Sequence, residues 1–164
     1  MIQKKICMLG GFAVGKTSLV RRFVHSLYAE KYHTTIGVKV ERKTVTLDGG
    51  RNVGLVLWDI HGDDELQKIR TSYLRGAAGY VLVVDRTRRH TLTVAQQVRE
   101  LALAELGAVP FVLMLNKCDL SDYEVDEQAY NSLARHSLLA IRTSALTGQG
   151  VDDAFRCLAA AVAR

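Results

Sequence analysis

Short runs of apolar residues alternate with amphipathic segments along most of the chain. Runs that are almost wholly apolar are typical of parallel strands covered on both faces, and they lie at residues 80–85, 111–116 and 138–144. Helical spacing of apolar residues predicts helices at residues 16–24, 91–106, 125–135 and 151–163. A strand at residues 2–9 precedes the first of these helices. This alternation predicts a three-layer α/β fold with a mostly parallel sheet and right-handed crossovers.

A different pattern follows the first helix. Residues 38–47 alternate locally between apolar and polar types, which is typical of a strand with one buried face. The sequence "DGG" at 48–50 is a hairpin turn signal, and the apolar stretch "NVGLVLWD" at 52–59 comes soon after it. We therefore expect 38–47 and 52–59 to be antiparallel neighbours.

Length and composition indicate one globular domain over residues 1–164, with 48% hydrophobic residues and no repeat or proline-rich linker. The net charge of +5 and the pI near 9.2 indicate a mildly basic solvated surface, with an anionic partner as the alternative. The basic cluster "DRTRRH" at 85–90 is interpreted as a solvated loop, or alternatively as a surface for an acidic partner. Few aromatic residues accompany it, so nucleic-acid binding is not expected.

The three cysteines indicate a reducing, cytoplasmic setting. Cys7, Cys118 and Cys157 are odd in number and far apart, and they lack the close Cys or His pairs of a zinc site. The N-terminal apolar run is too short for a signal peptide, and no stretch approaches the roughly 20 apolar residues of a membrane span. Cys157 is too far from the last residue to form a prenylation box. We therefore expect a soluble protein without a direct membrane anchor.

The most specific motif is "GGFAVGKT" at residues 10–17, which fits G-x-x-x-x-G-K-[ST] between a predicted strand and a predicted helix. Its glycines let backbone N–H groups close around phosphate oxygens, and the helix N-terminus adds partial positive charge. Lys16 reaches the β- and γ-phosphates, and Thr17 offers a hydroxyl to Mg²⁺. The alternative, a glycine-rich turn that happens to precede a helix, does not explain this context. Candidate phosphate-binding residues are Gly11, Phe12, Ala13, Val14, Gly15, Lys16, Thr17 and Ser18.

Two further motifs predict the base. "NKCD" at 116–119 lies at the end of one predicted strand, and "TSA" at 143–145 lies at the end of the next. A carboxylate placed like that of Asp119 accepts both N–H donors of guanine, whereas adenine would leave it unpaired. Guanine is therefore the expected base.

Together these motifs make the chain resemble the Ras superfamily of small GTPases, and more narrowly its Rab-like and Ras-like branches. The resemblance covers nearly the whole chain: "TTIGV" at 34–38 is similar to switch I, "WDIHG" at 58–62 to the start of switch II, and "GQGVDDAF" at 148–155 to the start of the final helix. It implies a P-loop NTPase fold with a six-stranded, mostly parallel sheet, one antiparallel edge strand and five helices. It also implies alternation between GTP-bound and GDP-bound conformations.

The resemblance implies a role for each matching residue. Thr17 and Thr35 would ligate Mg²⁺ in the GTP state, and Asp59 would support the metal through water. Gly62 would donate its backbone N–H to the γ-phosphate, and Tyr28 would pack its ring against guanine. The residues that would frame the base are Asn116, Lys117, Asp119, Ser144, Ala145 and Leu146. The catalytic candidates are Lys16, Thr35, His61, Gly62 and Asp63.

Departures from the family pattern bear on hydrolysis. Asp63 stands where relatives usually carry the glutamine that orients the attacking water, and an ionised carboxylate cannot donate a hydrogen bond to the developing charge. His61 could orient water instead, or be a structural or partner-facing group. No arginine lies in "YAEKYHTT" at 28–35, so that segment supplies no arginine finger. We expect slow intrinsic hydrolysis.

Two other departures affect the mouth of the site. Phe12 replaces a glycine of several relatives, and its ring would either crowd a partner's arginine finger or lie harmlessly at the surface. Leu146 replaces the lysine that usually covers the base, which would lower guanine affinity somewhat.

Three functions are compatible with the sequence. The first is a GTP-hydrolysing switch that binds effectors through residues 28–40 and 58–75, is controlled by exchange-factor and activating proteins, and is a monomer when GDP-bound. The second is a GTP-binding scaffold that does not hydrolyse its nucleotide. The third is another P-loop enzyme such as a nucleotide kinase, against which "NKCD" and the lack of an inserted lid segment argue.

Overall fold

The computed structural model describes residues 1–26, 37–60 and 71–164. The strands are β1 (Ile2–Gly10), β2 (Val38–Thr46), β3 (Asn52–Ile60), β4 (Gly79–Asp85), β5 (Phe111–Asn116) and β6 (Leu139–Arg142). The α-helices are α1 (Lys16–His25), α2 (His90–Leu106), α3 (Glu127–Ala134) and α4 (Val151–Val162). A short 3-10 helix at Thr71–Tyr73 precedes β4.

The strands form one sheet in the order β2-β3-β1-β4-β5-β6. Among the strands in the described ranges, only β2 runs antiparallel to its neighbour, and it does so at the edge, pairing Val38 with Ile60 and Thr46 with Asn52. The six-stranded, mostly parallel sheet and its antiparallel edge strand are confirmed. The resemblance implied five helices, whereas the described ranges contain the four α-helices that the apolar spacing predicted, together with the 3-10 turn.

Helices cover both faces of the sheet, as a three-layer fold requires. Side chains alternate along β1, so Ile6 and Met8 belong to one buried cluster while Cys7 and Leu9 belong to the other. The first cluster is closed by α1 and α4, whose Phe23 and Phe155 rings stack with centroids 4.1 Å apart. The second is closed by α2 and α3. Full burial of both clusters fixes the position of the strand ends where the candidate site lies.

The prediction for the last strand needs correction. Residues 138–144 were expected to form a strand buried on both faces, but β6 spans only Leu139–Arg142 and is a partly exposed edge strand. Thr143 and Ser144 are buried beyond its end. The Thr143 hydroxyl bonds to Asn116 at the end of β5, and the Ser144 hydroxyl bonds to Asp119 just beyond it, which draws the chain out of the sheet and into a loop.

The parallel strands end at one edge of the sheet. Gly10, Asp85 and Asn116 are the last residues of three adjacent strands, and Asp85 pairs with Asn116 in the sheet register. Loops that follow parallel strands meet at this edge, which is where open α/β sheets bind ligands. Within the three described ranges, no helix is both long enough and apolar enough to cross a membrane.

Burial of Cys7 predicts unequal reactivity of the three thiols. Cys7 is fully buried, and this burial raises the pKa of its thiol to about 11. Cys118 and Cys157 are partly exposed. In the folded protein we expect Cys7 to react with a disulfide reagent at least about a hundredfold more slowly than an ordinary thiol, since two pKa units remove that much thiolate. Ellman titration with and without denaturant measures this, and three equally fast thiols in the folded protein would contradict it.

Candidate functional site

The loop between β1 and α1 is shaped by two glycines in the left-handed half of backbone space. Gly10 has φ 147° and Gly15 has φ 105°. A Cβ atom on Gly10 would lie 2.6 Å from the carbonyl oxygen of Val83, and one on Gly15 would overlap the side-chain amide of Asn116. Both positions therefore require glycine for conformation and for space.

Lys16 lies across this loop. Its side chain is buried, and its Nζ donates to the carbonyls of Gly10 at 3.2 Å and Gly11 at 2.8 Å. Lys16 begins α1 and Ser18 lies, partly buried, in its first turn. In the described part of the chain, no side chain caps the N-terminus of α1 and its first turn holds no acidic residue. The N-terminal N–H groups and the ammonium together suit an anion.

The next three carbonyls of the loop are also held by side chains. Arg88 Nη2 donates to Phe12 at 2.6 Å, Lys117 Nζ to Ala13 at 3.0 Å, and Asn116 Nδ2 to Val14 at 2.9 Å. Because a trans peptide unit is planar, fixing a carbonyl on one side turns the following N–H to the other side. The five consecutive carbonyls from Gly10 to Val14 are thus engaged, and the loop has the form of an anion-binding concavity.

Thr17 and Asp59, which the resemblance assigns to one metal site, contact each other. Thr17 Oγ1 donates to Asp59 Oδ2 at 2.6 Å, although 42 residues separate them. Asp59 is 1% exposed and pairs with Met8 of β1 in the sheet register. A hydroxyl that donates its proton to a carboxylate presents its oxygen lone pairs elsewhere. Hydroxyl and carboxylate oxygens beside an anion-binding loop fit Mg²⁺, which prefers oxygen ligands and shares them with phosphates and water.

The two predicted base-recognition loops are bonded to each other. Ser144 Oγ donates to Asp119 Oδ1 at 2.7 Å, and Thr143 Oγ1 donates to Asn116 Oδ1 at 3.0 Å. The backbone N–H of Cys118 donates to the carbonyl of Thr143 at 3.0 Å. Asp119 remains exposed, so its carboxylate is oriented by Ser144 and open to a ligand.

Arg22 of α1 stabilises the second of these loops and was missed by the sequence reasoning. Its Nε donates to the carbonyl of buried Ala145 at 2.8 Å, and its Nη2 donates to the carbonyl of Leu146. The Leu146 side chain is 44% exposed. No local pattern could have revealed the contact, because it joins residues more than 120 positions apart and its acceptors are backbone atoms.

The interpretation of residues 85–90 as a solvated loop was wrong for Asp85 and Arg88. The Asp85 carboxylate is fully buried and bonds Lys117 Nζ at 2.8 Å and Arg88 Nε at 2.9 Å. Burial raises the pKa of this carboxyl, but hydrogen bonds from Lys117, Thr87 and Arg88 lower it by more, so the pKa lies below its ordinary value. The available signal was that Asp85 is the last residue of a buried strand and is followed closely by a helix.

Several predicted site residues lie outside the described residues. They belong to the two segments expected to sense the nucleotide, and they are Tyr28, Thr35, His61, Gly62 and Asp63. Phe12 is described, and its side chain is 40% exposed at the loop that Lys16 crosses.

Comparison with known proteins identifies the family. A family model described as "Ras family" matches residues 5–164, which is nearly the whole chain. The chain belongs to the Ras family. The loops at the strand ends, described above, lie within the matched region of this Ras family member.

Two curated relatives indicate which branch of the family the chain resembles. Over 154 residues the chain is 38% identical to the "Ras-related protein Rab-18-B" of Danio rerio, covering 92% of this chain and 75% of the relative. Over 158 residues it is 35% identical to the "GTP-binding protein YPT1" of Saccharomyces cerevisiae, covering 94% and 76%. This member of the Ras family is therefore a Rab-like small GTPase.

Proposed function

We propose that this chain binds GTP and GDP together with Mg²⁺, hydrolyses GTP slowly, and passes between two conformations that differ in partner affinity. The observation that carries the proposal is the bonding of the phosphate loop to the base-recognition loop. Asn116, the last residue of β5, and Lys117, which follows it, donate to the carbonyls of Val14 and Ala13. One bonded unit would thus bind both ends of a nucleoside phosphate.

The phosphates would lie on the backbone N–H groups of residues 11–18, with the Lys16 ammonium balancing their charge. Thr17 would hold Mg²⁺ directly and Asp59 would hold it through water, with Thr35 added in the GTP state. When bound, the ion neutralises charge that develops on the phosphate oxygens. The 2.6 Å bond between Thr17 and Asp59 supports this assignment because it brings the two oxygen donors together.

Asp119 would select guanine. The bond from Ser144 holds one carboxylate oxygen and so fixes the plane of the carboxylate. Both N–H donors of guanine could then bond to it, whereas adenine presents a different edge and would leave the charge unpaired. The backbone of Ala145, whose carbonyl Arg22 holds, would contact the carbonyl oxygen of guanine.

Partners would bind the segments at 28–40 and 58–75. In the described part of these segments, Trp58 pairs with Val40 across β2 and β3, and its ring lies 6.4 Å from that of Tyr73. Lys5 Nζ lies 3.7 Å from the centre of the Trp58 ring. Val40 is 37% exposed. This partly exposed apolar surface supports binding of effector proteins next to the segments that would respond to the γ-phosphate.

Two substitutions test the proposal by separating phosphate binding from magnesium binding. Lys16→Ala should lower the affinities for GDP and GTP alike, by about a hundredfold, because it removes charge-assisted bonds to the phosphates. Thr17→Asn should lower the affinity for GTP at least about tenfold more than the affinity for GDP, because binding of GTP depends most on the magnesium ligand. Titration of fluorescent GDP and GTP analogues in the presence of Mg²⁺ measures both effects.

Thr44→Asn is the matched control, since Thr44 is exposed on β2 away from the loop. It should leave both affinities unchanged. An equal fall in the affinities for GDP and GTP in Thr17→Asn would contradict the role of Thr17 in the switch. A wild-type protein that binds neither nucleotide would overturn the proposed function.

A further inference from the structure

One residue of the phosphate loop has a backbone conformation that its side chain disfavours. Ala13 has φ 58°, in the left-handed region that non-glycine residues rarely adopt. Such a conformation persists only where surrounding contacts over-determine it. Ala13 therefore needs external support on both of its peptide units.

Two cationic side chains supply that support. Arg88 Nη2 donates to the carbonyl before Ala13, that of Phe12, and Lys117 Nζ donates to the carbonyl of Ala13 itself. Each carbonyl belongs to one of the two peptide units that flank the Ala13 Cα. Fixing both units fixes φ and ψ of Ala13, and with them the directions of the Ala13 and Val14 N–H groups.

The two cations share one anchor. Arg88 Nε and Lys117 Nζ both bond Asp85 Oδ2, while Asp85 Oδ1 accepts from the backbone N–H and hydroxyl of Thr87. The Asp85 carboxylate is fully buried at the end of β4, in the middle of the sheet. Lys117 also belongs to the base-recognition motif. Asp85 therefore connects three parts of the site: the phosphate loop at residues 10–17, the base-recognition loop at residues 116–119, and Arg88. It does so from a buried position at the end of β4.

We propose that Arg88 is a positioning residue for the nucleotide phosphates, which holds Ala13 in its left-handed conformation from the Phe12 side while Lys117 holds it from the other. The inference rests on the proposed function, because it assumes that residues 11–18 bind phosphates. Loss of Arg88 leaves the loop's motif residues unchanged but removes the bond that holds the Phe12 carbonyl, and so weakens the constraint on the peptide unit before Ala13. The loop then presents its N–H groups to the phosphates for a smaller fraction of the time.

The release rate of GDP tests the inference. Arg88→Ala should release a fluorescent GDP analogue about tenfold faster than the wild type, as expected for a charge-assisted hydrogen bond on a partly exposed side chain. Arg89→Ala is the matched control, since Arg89 is exposed, adjacent in sequence and equal in charge. It should release GDP at the wild-type rate. Arg88→Lys should be intermediate, because one ammonium cannot occupy the positions of two guanidinium nitrogens.

Two further measurements distinguish positioning from general stabilisation. The β-phosphate ³¹P resonance of bound GDP should shift in Arg88→Ala and stay in place in Arg89→Ala. In an Ala13→Gly background, where the left-handed conformation has no Cβ cost, Arg88→Ala should accelerate release by clearly less than tenfold.

The outcomes separate this inference from the proposed function. If the wild type binds GDP tightly and Arg88→Ala releases it at the wild-type rate with an unshifted resonance, the inference is overturned alone. Equal acceleration by Arg88→Ala with alanine or glycine at position 13 would overturn the role assigned to the left-handed conformation. A wild type without GDP binding would overturn the proposed function and this inference with it.

Discussion

Asp119→Asn is expected to change the preferred base from guanine to xanthine. The carboxylate accepts two N–H donors of guanine, and an amide can accept one but must donate where guanine also donates. Xanthine has a carbonyl at that position, so the new amide can bond it. The affinity for GDP should fall by on the order of 10³-fold or more, the range by which a site that hydrogen-bonds its ligand rejects an analogue with a mismatched edge.

The bond from Ser144 makes this prediction specific to the structure. Ser144 Oγ donates to Asp119 Oδ1 at 2.7 Å, and an amide oxygen at that position could still accept it. The amide nitrogen would then take the place of the second carboxylate oxygen and face the base. Because the side chain at position 119 keeps its orientation, the substitution should create affinity for xanthine nucleotides as well as lower the affinity for guanine nucleotides.

Competition of GDP, XDP and ADP against a fluorescent nucleotide measures the change. Asp122→Asn is the matched control, because it removes the same charge from an exposed residue of the neighbouring loop. It should leave the order of affinities unchanged. Equal binding of GDP and ADP by the wild type would contradict the guanine assignment, and loss of GDP without gain of XDP would contradict the orientation by Ser144.

The sheet could be predicted from the sequence because its strands differ in how many faces they bury. Residues 80–85 and 111–116 are wholly apolar or nearly so, and they form β4 and β5 with every residue buried. Residues 38–47 alternate, and β2 is the edge strand with a mostly exposed face. The extent of β6 could not be predicted in this way. The hydroxyl bonds that take Thr143 and Ser144 out of the strand are tertiary contacts, and the apolar pattern does not record them.

The motif residues of the site were predicted for a similar reason. Gly15, Lys16 and Thr17 are adjacent in sequence, and parallel strands bring the motifs at 116–119 and 143–145 to the same edge. Arg22 and Arg88 were missed because they bond backbone carbonyls of residues 123 and 76 positions away. Any residue type supplies a carbonyl, so neither spacing nor composition marks such an acceptor. The roles of these motif residues stay predictions, and so do those of Tyr28, Thr35, His61, Gly62 and Asp63.

Asp63→Gln is expected to raise the intrinsic rate of GTP hydrolysis about a hundredfold. The glutamine usual at this position orients the attacking water and can donate to the developing charge, whereas an ionised aspartate can do neither well and adds negative charge beside the triphosphate. A preorganised polar contact of this kind contributes about 3 kcal/mol. If Ras itself turns over on the order of 10⁻⁴ per second, this chain should turn over on the order of 10⁻⁶ per second. Single-turnover hydrolysis of bound GTP measures the rate.

Controls separate the amide from the loss of charge. Asp64→Asn removes a negative charge from the next residue without placing an amide at position 63, so it should give little of the gain. Phe12→Gly should add to the gain only when an arginine-supplying activating protein is present, because we expect the 40% exposed ring to crowd the space that such a finger would need. Hydrolysis that is unaltered by Asp63→Gln and abolished by His61→Ala would contradict the prediction. In that case His61 would be the group that positions the water, and the acidic residue after Gly62 would not be the cause of slow turnover.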